Sequence, residues 1–174
     1  MPQIMTEWNK SRVFLGLGGN IGNPLASFRL ARQQLAQHEL INVLCSSPIY
    51  RTPPIGGPAG QPDYLNAVLE IETGLAAQKL LHLCCQIEDA AGRLRDIHWG
   101  PRTLDIDLLL FDDSVMDAPQ LTIPHPRLHQ RHFVLLPLYD LDAHLTHPVL
   151  NMTIAELLAQ LPPAEGITKL QETW

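Results

Sequence analysis

One eight-residue run, residues 104–111, constrains the fold of this chain more than any other feature. It reads LDIDLLLF, and all of its side chains except two are apolar, as is typical of a strand inside a sheet. Asp105 and Asp107 interrupt the run at its start, and Arg102 precedes them. Like charges on a buried strand are costly unless a cation or hydrogen bonds neutralise them. The run therefore predicts an interior strand, and the presence of its two carboxylates needs a physical explanation.

The rest of the chain predicts the class of fold. Its patterns indicate strands at 12–18, 41–51 and 64–74 and helices at 24–37 and 77–95. With the strand at 104–111, the order is β-α-β-β-α-β. This order is typical of a ferredoxin-like α+β core, with a mainly antiparallel sheet and both helices on one face. A C-terminal extension follows, in which Thr153 and Glu156 have the spacing of a capping box.

The length and composition limit the number of domains and the kinds of partner. A chain of 174 residues suits one domain, which we expect at 11–174 after a flexible extension at 1–10. A net charge of −6 argues against nucleic acid as a partner. No run is apolar enough for a membrane span or a signal peptide, and the three cysteines lack CxxC spacing. We therefore expect a cytoplasmic monomer with no membrane partner.

The glycine-rich turn GLGGNIG, residues 16–22, raises the possibility of a dinucleotide site. The GxGxxG spacing fails at Ile21, and no Gly-Lys-Ser/Thr sequence completes a phosphate-binding loop. A nicotinamide-dependent oxidoreductase is therefore disfavoured. The glycines predict a tight turn between a strand and a helix, and they leave open whether backbone approaches a ligand there.

The spacing of Asp105 and Asp107 is compatible with a site for hard cations. Residues i and i+2 of a strand share a face and lie about 6.5 to 7 Å apart, and here the same face is expected to continue as Leu109 and Phe111. Two such carboxylates can hold Mg²⁺, and arginines beside them suit a polyphosphate. The nearby arginines are Arg93, Arg95, Arg102, Arg127 and Arg131. Structural ion pairs among the same groups explain the pattern equally well, so both interpretations stay open.

A proline- and glycine-rich stretch, residues 52–62, predicts a long exposed loop between two strand ends. Beyond it, Tyr64 and Asn66 share a strand face, and an aromatic ring beside an amide suits a flat heterocycle. An ordinary core position for Tyr64 is the alternative. His125, His129 and His132 do not indicate a zinc site, because prolines break the helix that their spacing would need.

Five stretches taken together resemble one protein family closely. They read FLGLGGNIGNP, SSPIYRTPPIG, QPDYLNAV, IEDAAGRLRDIHWGPRTLDIDLLLF and LTIPHPRLHQRHFVLLPL. They are similar, in order, to the 6-hydroxymethyl-7,8-dihydropterin pyrophosphokinases of folate biosynthesis over residues 12–160, and WGPRTLDIDLL is that family's signature. The resemblance implies a ferredoxin-like core and transfer of pyrophosphate from ATP to the pterin's hydroxymethyl group, with release of AMP.

The resemblance also implies a role for individual residues. Catalytic positions are Arg93, Arg95, Arg102, Asp105 and Asp107, and the two aspartates would hold two Mg²⁺ ions that bridge the ATP phosphates. Positions that contact ATP are Glu88, Trp99, Leu108, Thr122, His125 and Arg131. Positions that contact the pterin are Thr52, Pro53, Pro54, Ile55, Tyr64, Asn66 and Phe133, with Tyr64 and Phe133 as an aromatic pair around the ring.

The chain departs from some family members at positions near the expected phosphates. Asp96, His98, Cys85 and Gln120 stand where others carry Lys, Arg, Gln and Arg, and Pro126 stands where some carry Tyr. Fewer positive charges imply weaker phosphate contacts from the loop around Trp99. The alternative function is a non-catalytic ferredoxin-like module that binds a small molecule without Mg²⁺. That alternative leaves the cluster of aspartates and arginines unexplained.

Overall fold

A computed structural model describes residues 9–92 and 102–174. Most of the expected N-terminal extension, the predicted site residues Arg93, Arg95 and Trp99, and the departures Asp96 and His98 lie outside the described residues. The elements, in chain order, are β1 (Ser11–Gly19), α1 (Pro24–Ala36), β2 (Ile41–Ser46), β3 (Tyr50–Thr52), β4 (Tyr64–Thr73), α2 (Ala77–Ala90), β5 (Asp105–Phe111), β6 (Met116–Ala118), β7 (Leu121–Ile123), a 3-10 helix (Leu128–Gln130), α3 (His132–Asp142), α4 (Ile154–Gln160) and β8 (Thr168–Lys169).

The main sheet is antiparallel and has the strand order β5-β1-β4-β3-β8, with β2 also paired to β4. The long strand β4 is central, because it pairs with β1 along one edge and with β2 and β3 along the other. This arrangement confirms the predicted α+β fold with a mainly antiparallel sheet. β6 and β7 form a separate two-stranded sheet.

The predicted single strand at 41–51 is wrong, because the segment forms two strands. Pro48 lies between β2 and β3 and has no N–H group to donate to a neighbouring strand. Beside it, the Ser47 hydroxyl accepts a hydrogen bond from the Val68 N–H at 2.8 Å, while the Ser47 N–H donates to the Val68 carbonyl at 2.8 Å. The Ser47 side chain thus replaces one backbone hydrogen-bond partner at the break. β3 begins after the break and pairs with a different part of β4.

Local sequence signals account for one end of each of three helices, α1, α2 and α4. The Asn23 side chain accepts from the Ala26 N–H at 3.1 Å and caps α1, whose first residue is Pro24. The predicted capping box of α4 is present, with Thr153 and Glu156 bonded reciprocally. α2 ends at Ala90 and not near residue 95, and Gly92 with a φ of 78° follows it.

Each face of the sheet has its own apolar core. Alternate residues of β1, β4 and β5 pack against α1 and α2 on one face, and these include Val13, Leu15, Leu69 and Ile71. On the other face, Phe14, Val68 and Leu110 pack against α3 and α4. The sequence pattern does not predict α3, because Pro137 inside the helix removes a helical hydrogen bond and interrupts the helical spacing.

An irregularity in β5 overturns one expectation about its faces. The register between β1 and β5 shifts between Phe14 and Leu15, which pair with Leu110 and Leu108. Leu109 and Leu110 consequently both join the core beneath α3 and α4, while Phe111 joins the core beneath α1 and α2. The face of Asp107 therefore continues as Leu109 but not as Phe111.

Within residues 9–92 and 102–174, none of the helices has the length and apolar character that a membrane crossing requires.

Candidate functional site

A cavity of about 450 Å³ opens at the end of the sheet where β5 begins and β3 ends. Its walls come from β1, β3, β4, β5, the loop after β3, and the segment at the start of α3. It brings together ten of the residues that the sequence analysis singled out: Thr52, Pro53, Ile55, Tyr64, Asn66, Arg102, Asp105, Asp107, Arg131 and Phe133. Residues that are distant in sequence thus converge at one place.

The floor of the cavity is bare backbone of β1. Gly16 lies between Val68 of β4 and Asp107 of β5 in the sheet, and Gly18 lies between Asn66 and Asp105. A side chain at position 18 would come within 3.1 Å of the Asn66 amide oxygen. The glycines therefore leave the space between the polar end of β4 and the acidic end of β5 unfilled. The glycine-rich sequence leaves open the approach of a ligand here but does not predict that Gly16 and Gly18 form the floor of a cavity.

One wall of the cavity is aromatic and amide-bearing. Asn66 is buried on β4, and its Nδ2 donates a 2.8 Å hydrogen bond to Oγ1 of Thr52 at the end of β3. Tyr64 lies directly opposite Thr52 in the pairing of these strands. Burial raises the pKa of Tyr64, with Arg102 opposing this and Asp105 adding to it. The Phe133 ring enters from α3, with the Arg131 guanidinium carbon 5.4 Å from its centroid.

The opposite wall is charged. Asp105 and Asp107 lie on the cavity side of β5, and Nε of Arg102 is 3.8 Å from Oδ2 of Asp105. Arg127 and Arg131 also line the cavity. Burial lowers the pKa of Arg131, which Asp107 opposes and Arg127 reinforces. Arg131 therefore lies within electrostatic reach of Asp107 and of any anion placed beside it.

The acidic strand is anchored from behind by α2. Glu88 is only 3% exposed, and its Oε1 accepts a 2.7 Å hydrogen bond from the N–H of Ile106, the residue between the two aspartates. Because Ile106 packs in the core beneath α1 and α2, Asp105 and Asp107 must face the other way. The sequence therefore folds so that a buried residue fixes the direction of two carboxylates, of which Asp105 is half-buried and Asp107 is exposed.

Five predicted site residues that the structure describes lie off the cavity lining: Pro54, Glu88, Leu108, Thr122 and His125. The Leu108 side chain is buried beneath α1 and α2, on the face opposite the aspartates. Thr122 is exposed on β7. His125 donates its N–H to the Leu109 carbonyl at 2.9 Å. Burial lowers the pKa of the His125 imidazole, and nearby Asp107 opposes that shift.

Asn20 connects three segments around the cavity and was missed by the sequence analysis. Its Oδ1 accepts from the Arg102 N–H at 2.8 Å, and its Nδ2 donates to the Pro62 carbonyl at 3.1 Å. The Asn20 N–H also donates to the Arg102 carbonyl at 2.8 Å. At Gly19, a Cβ atom would lie 2.6 Å from the Thr103 carbonyl oxygen, which excludes any side chain. The Gly-Gly-Asn sequence after a strand was the available signal.

Comparisons with known proteins agree on one family. Residues 14–143 match the family model described as 7,8-dihydro-6-hydroxymethylpterin-pyrophosphokinase (HPPK). A relative from Pseudomonas aeruginosa, named 2-amino-4-hydroxy-6-hydroxymethyldihydropteridine pyrophosphokinase, is 40% identical over 159 residues, covering 91% of this chain and 96% of the relative. The folic acid synthesis protein fol1 of Schizosaccharomyces pombe is 40% identical over 162 residues, covering 92% of this chain and 22% of that protein.

Solved structures agree with the fold. The wild-type HPPK-DHPS of Plasmodium falciparum, solved with pteroate, superposes with a TM-score of 0.70 at 16% sequence identity. The match covers 88% of this chain and 43% of that one, so this chain spans less than half of the Plasmodium protein. At this identity the likeness concerns the arrangement of helices and strands.

Proposed function

This chain belongs to the 7,8-dihydro-6-hydroxymethylpterin-pyrophosphokinase family, and we propose that it transfers the β and γ phosphates of ATP together to the hydroxymethyl oxygen of 6-hydroxymethyl-7,8-dihydropterin. The observation that carries the proposal is a single cavity with an aromatic, amide-bearing wall and a charged wall on either side of a glycine floor. The two walls match the two substrates, a flat heterocycle and a polyphosphate.

The aromatic wall suits the pterin. Tyr64 and Phe133 reach the cavity from β4 and α3 and offer two ring faces to a flat heterocycle. Thr52 and Asn66, already hydrogen-bonded to one another, offer a hydroxyl and an amide to the polar edge of the ring. Because both are buried and fixed by backbone pairing of β3 and β4, they are pre-organised for one orientation of the ligand.

The charged wall suits Mg²⁺ and phosphate. In the described part of the chain, no three His, Cys, Asp or Glu side chains converge as a closed metal site. Two carboxylates on one strand face nevertheless fit Mg²⁺, which usually takes one or two carboxylates together with phosphate oxygens and water. When bound, Mg²⁺ would neutralise phosphate charge and polarise the group that is transferred. Asp105 and Asp107 are the residues that would hold the metal, and we propose that they hold two Mg²⁺ ions.

The protein contributes orientation and charge to the transfer. The hydroxymethyl oxygen forms a bond to the β-phosphorus, the bond from that phosphorus to the α–β bridging oxygen breaks, and AMP leaves with the bridging oxygen. Arg102, Arg127 and Arg131 line the cavity where they would stabilise charge on the transferred and leaving oxygens. The hydroxyl proton passes to solvent. Positioning of both substrates supplies much of the acceleration.

Product analysis tests this function directly. Incubation with ATP, Mg²⁺ and 6-hydroxymethyl-7,8-dihydropterin should yield AMP and the pterin diphosphate in equal amounts, and only when both substrates are present. Chelation of the metal should stop the reaction. Formation of ADP, or of AMP at the same rate without the pterin, would contradict the proposal. Pterin binding without turnover, unaffected by chelation, would instead support the non-catalytic module.

We also propose that residues 11–174 form a single domain that acts as a monomer in the cytoplasm. The free thiols of Cys45, Cys84 and Cys85 are consistent with a reducing compartment. Sedimentation analysis of the purified protein, with and without both substrates, tests the monomer.

A further inference from the structure

The segment of residues 161–174 has no part in the proposed chemistry, yet it contacts the wall that would hold the pterin. Its strand β8 pairs antiparallel with β3, with Lys169 opposite Tyr50 and Thr168 opposite Arg51. The Leu170 N–H donates to the Ile49 carbonyl at 2.8 Å. Because β3 has only three residues, pairing along both edges is what holds it firmly in the sheet. The last of those three residues is Thr52.

A carboxylate of α3 joins the two short strands. Nζ of Lys169 lies 2.9 Å from one oxygen of Asp140, and the Tyr50 hydroxyl donates to the other oxygen. The Lys169 ammonium nitrogen also lies 5.9 Å from the centroid of the Tyr50 ring. The backbone pairing of β3 and β8 is thus reinforced by side chains and tied to the helix that carries Phe133.

Trp174 anchors the far end of the segment. Its side chain is buried in the core beneath α1 and α2, with its ring centroid 5.5 Å from that of Phe28. Its Nε1–H donates a 2.8 Å hydrogen bond to the carbonyl of Ser47, in the break between β2 and β3. Trp174 therefore binds the chain immediately before β3 and fixes where that strand begins.

Gly166 brings the segment against the rim of the cavity. Its φ of 69° is one that L side chains rarely adopt, and a Cβ atom there would lie 3.4 Å from Cγ of Pro53. Pro53 lines the cavity directly after Thr52. The segment therefore contacts the chain before β3, along β3 and just after it.

We propose that residues 161–174 position Thr52 and Pro53 for the pterin, with Trp174 and Lys169 as positioning residues that act through β3. The inference rests on the proposed function, because it concerns the wall assigned to the pterin. It separates the two substrates, since none of the contacts above involves Asp105, Asp107 or the arginines of the charged wall. Loosening the segment should therefore weaken use of the pterin and leave use of ATP nearly unchanged.

Steady-state kinetics of Trp174→Ala test the inference, with each substrate varied while the other is saturating. We expect the KM for the pterin to rise about tenfold or more while the KM for ATP changes less than about twofold, because displaced positioning residues lose binding in proportion to their misplacement. Trp174→Phe keeps an aromatic ring to pack against Phe28 but loses the hydrogen bond to Ser47, so it should restore only part of the pterin affinity.

Leu80→Ala is the matched control. Leu80 is fully buried on α2 in the same core, so its truncation lowers stability at a position outside both β3 and residues 161–174. All variants are assayed at a temperature where circular dichroism shows them folded. If Trp174→Ala does not fold, Lys169→Met provides the test, with a rise of about threefold in the pterin KM expected from the lost ion pair.

Three results would overturn the inference: an unchanged pterin KM, an equal rise for ATP, or the same rise in Leu80→Ala. These results test the inference only when the wild-type enzyme forms AMP in the presence of the pterin and not in its absence. A wild-type enzyme without that activity would reject the proposed function itself, so the two failures are distinguishable.

Discussion

On the face of the sheet covered by α1 and α2, β5 contributes Ile106 and Leu108 to an apolar core, whereas on the opposite face the same strand contributes Asp105 and Asp107 to a cavity. Neighbouring residues therefore serve opposite purposes. One face is packed as far as its end, and its side chains determine stability. The other face is packed only beneath α3 and α4, and its unfilled end carries the charges.

The difference lies in what fills the space above β1. Phe14 fills it in the core beneath α3 and α4, but Gly16 and Gly18 leave it empty next to the aspartates. The residues that stabilise the fold and those that line the cavity thus lie in different places, because side chains alternate along the strands and because Gly16 and Gly18 have no side chains. Substitutions at the cavity end of the sheet should change activity with little loss of stability, and substitutions in the core beneath α1 and α2 should do the reverse.

Asp107→Ala should have the largest effect. We expect kcat/KM to fall by about a thousandfold or more, because half of the carboxylate pair that would hold Mg²⁺ is lost. The thermal unfolding midpoint should hardly change, since Asp107 is exposed and adds no packing. Asp113→Ala, in the exposed turn directly after β5, is the matched control and should retain wild-type kinetics. Full activity in Asp107→Ala would show that the charged wall has no part in the reaction.

Leu108→Ala should show the opposite pattern. Truncating this buried side chain should lower the free energy of unfolding by about 2 to 5 kcal/mol, as measured by urea denaturation. The KM for ATP should stay within about twofold of wild type, because the side chain faces away from the cavity. A stable variant with a greatly raised KM for ATP would mean that this side chain contacts the nucleotide, as the family resemblance implies.

Asn20→Ala should have an intermediate effect on the rate. Loss of its side-chain hydrogen bonds to Arg102 and Pro62 should lower kcat about tenfold, because the arginine is held less firmly at the cavity. Asn20→Asp keeps an acceptor for the Arg102 N–H and should recover part of this loss. The control is Asn23→Ala, which removes the cap of α1 and should cost about 1 kcal/mol of stability with no change in kcat.

The smallest expected effect is a dependence of stability on pH away from the cavity. Burial, with His129 adding to it, lowers the pKa of His147, whose Nδ1 accepts from the Leu150 N–H at 3.1 Å. The unfolded chain then binds a proton more readily, so stability is complete above the ordinary histidine pKa of about 6.5 and falls as the pH drops below it.

Thermal melts of wild type and His147→Asn test this effect. The unfolding temperature of the wild type should decrease as the pH is lowered from about 7.5 to 5.5. The decrease should be smaller in the variant, because its amide oxygen replaces Nδ1 as acceptor. Equal decreases in the two proteins would show that His147 contributes nothing to the acid sensitivity. Kinetics at neutral pH should be alike, since the residue does not line the cavity.

Local patterns predicted much of the fold but not its interruptions. Alternation and helical spacing located five of the six predicted core elements, and the spacing of Thr153 and Glu156 gave the cap of α4. The same rules failed at Pro48, where one predicted strand is two, and at Pro137, where a helix continues through a proline. At Pro48 the missing N–H group ends the strand, whereas at Pro137 the packing of α3 against the sheet overrides the local preference of the backbone.

The sequence by itself determined that Asp105 and Asp107 share a strand face, because side chains alternate along any strand. It also predicted, through short motifs, the family to which the chain belongs. Only the tertiary structure decided which residues surround those carboxylates. It placed Gly16 and Gly18 between them and β4, brought Asn20 to Arg102, and turned Leu108 and Phe111 into the opposite core. Such contacts depend on register and packing between distant segments, which local patterns do not specify.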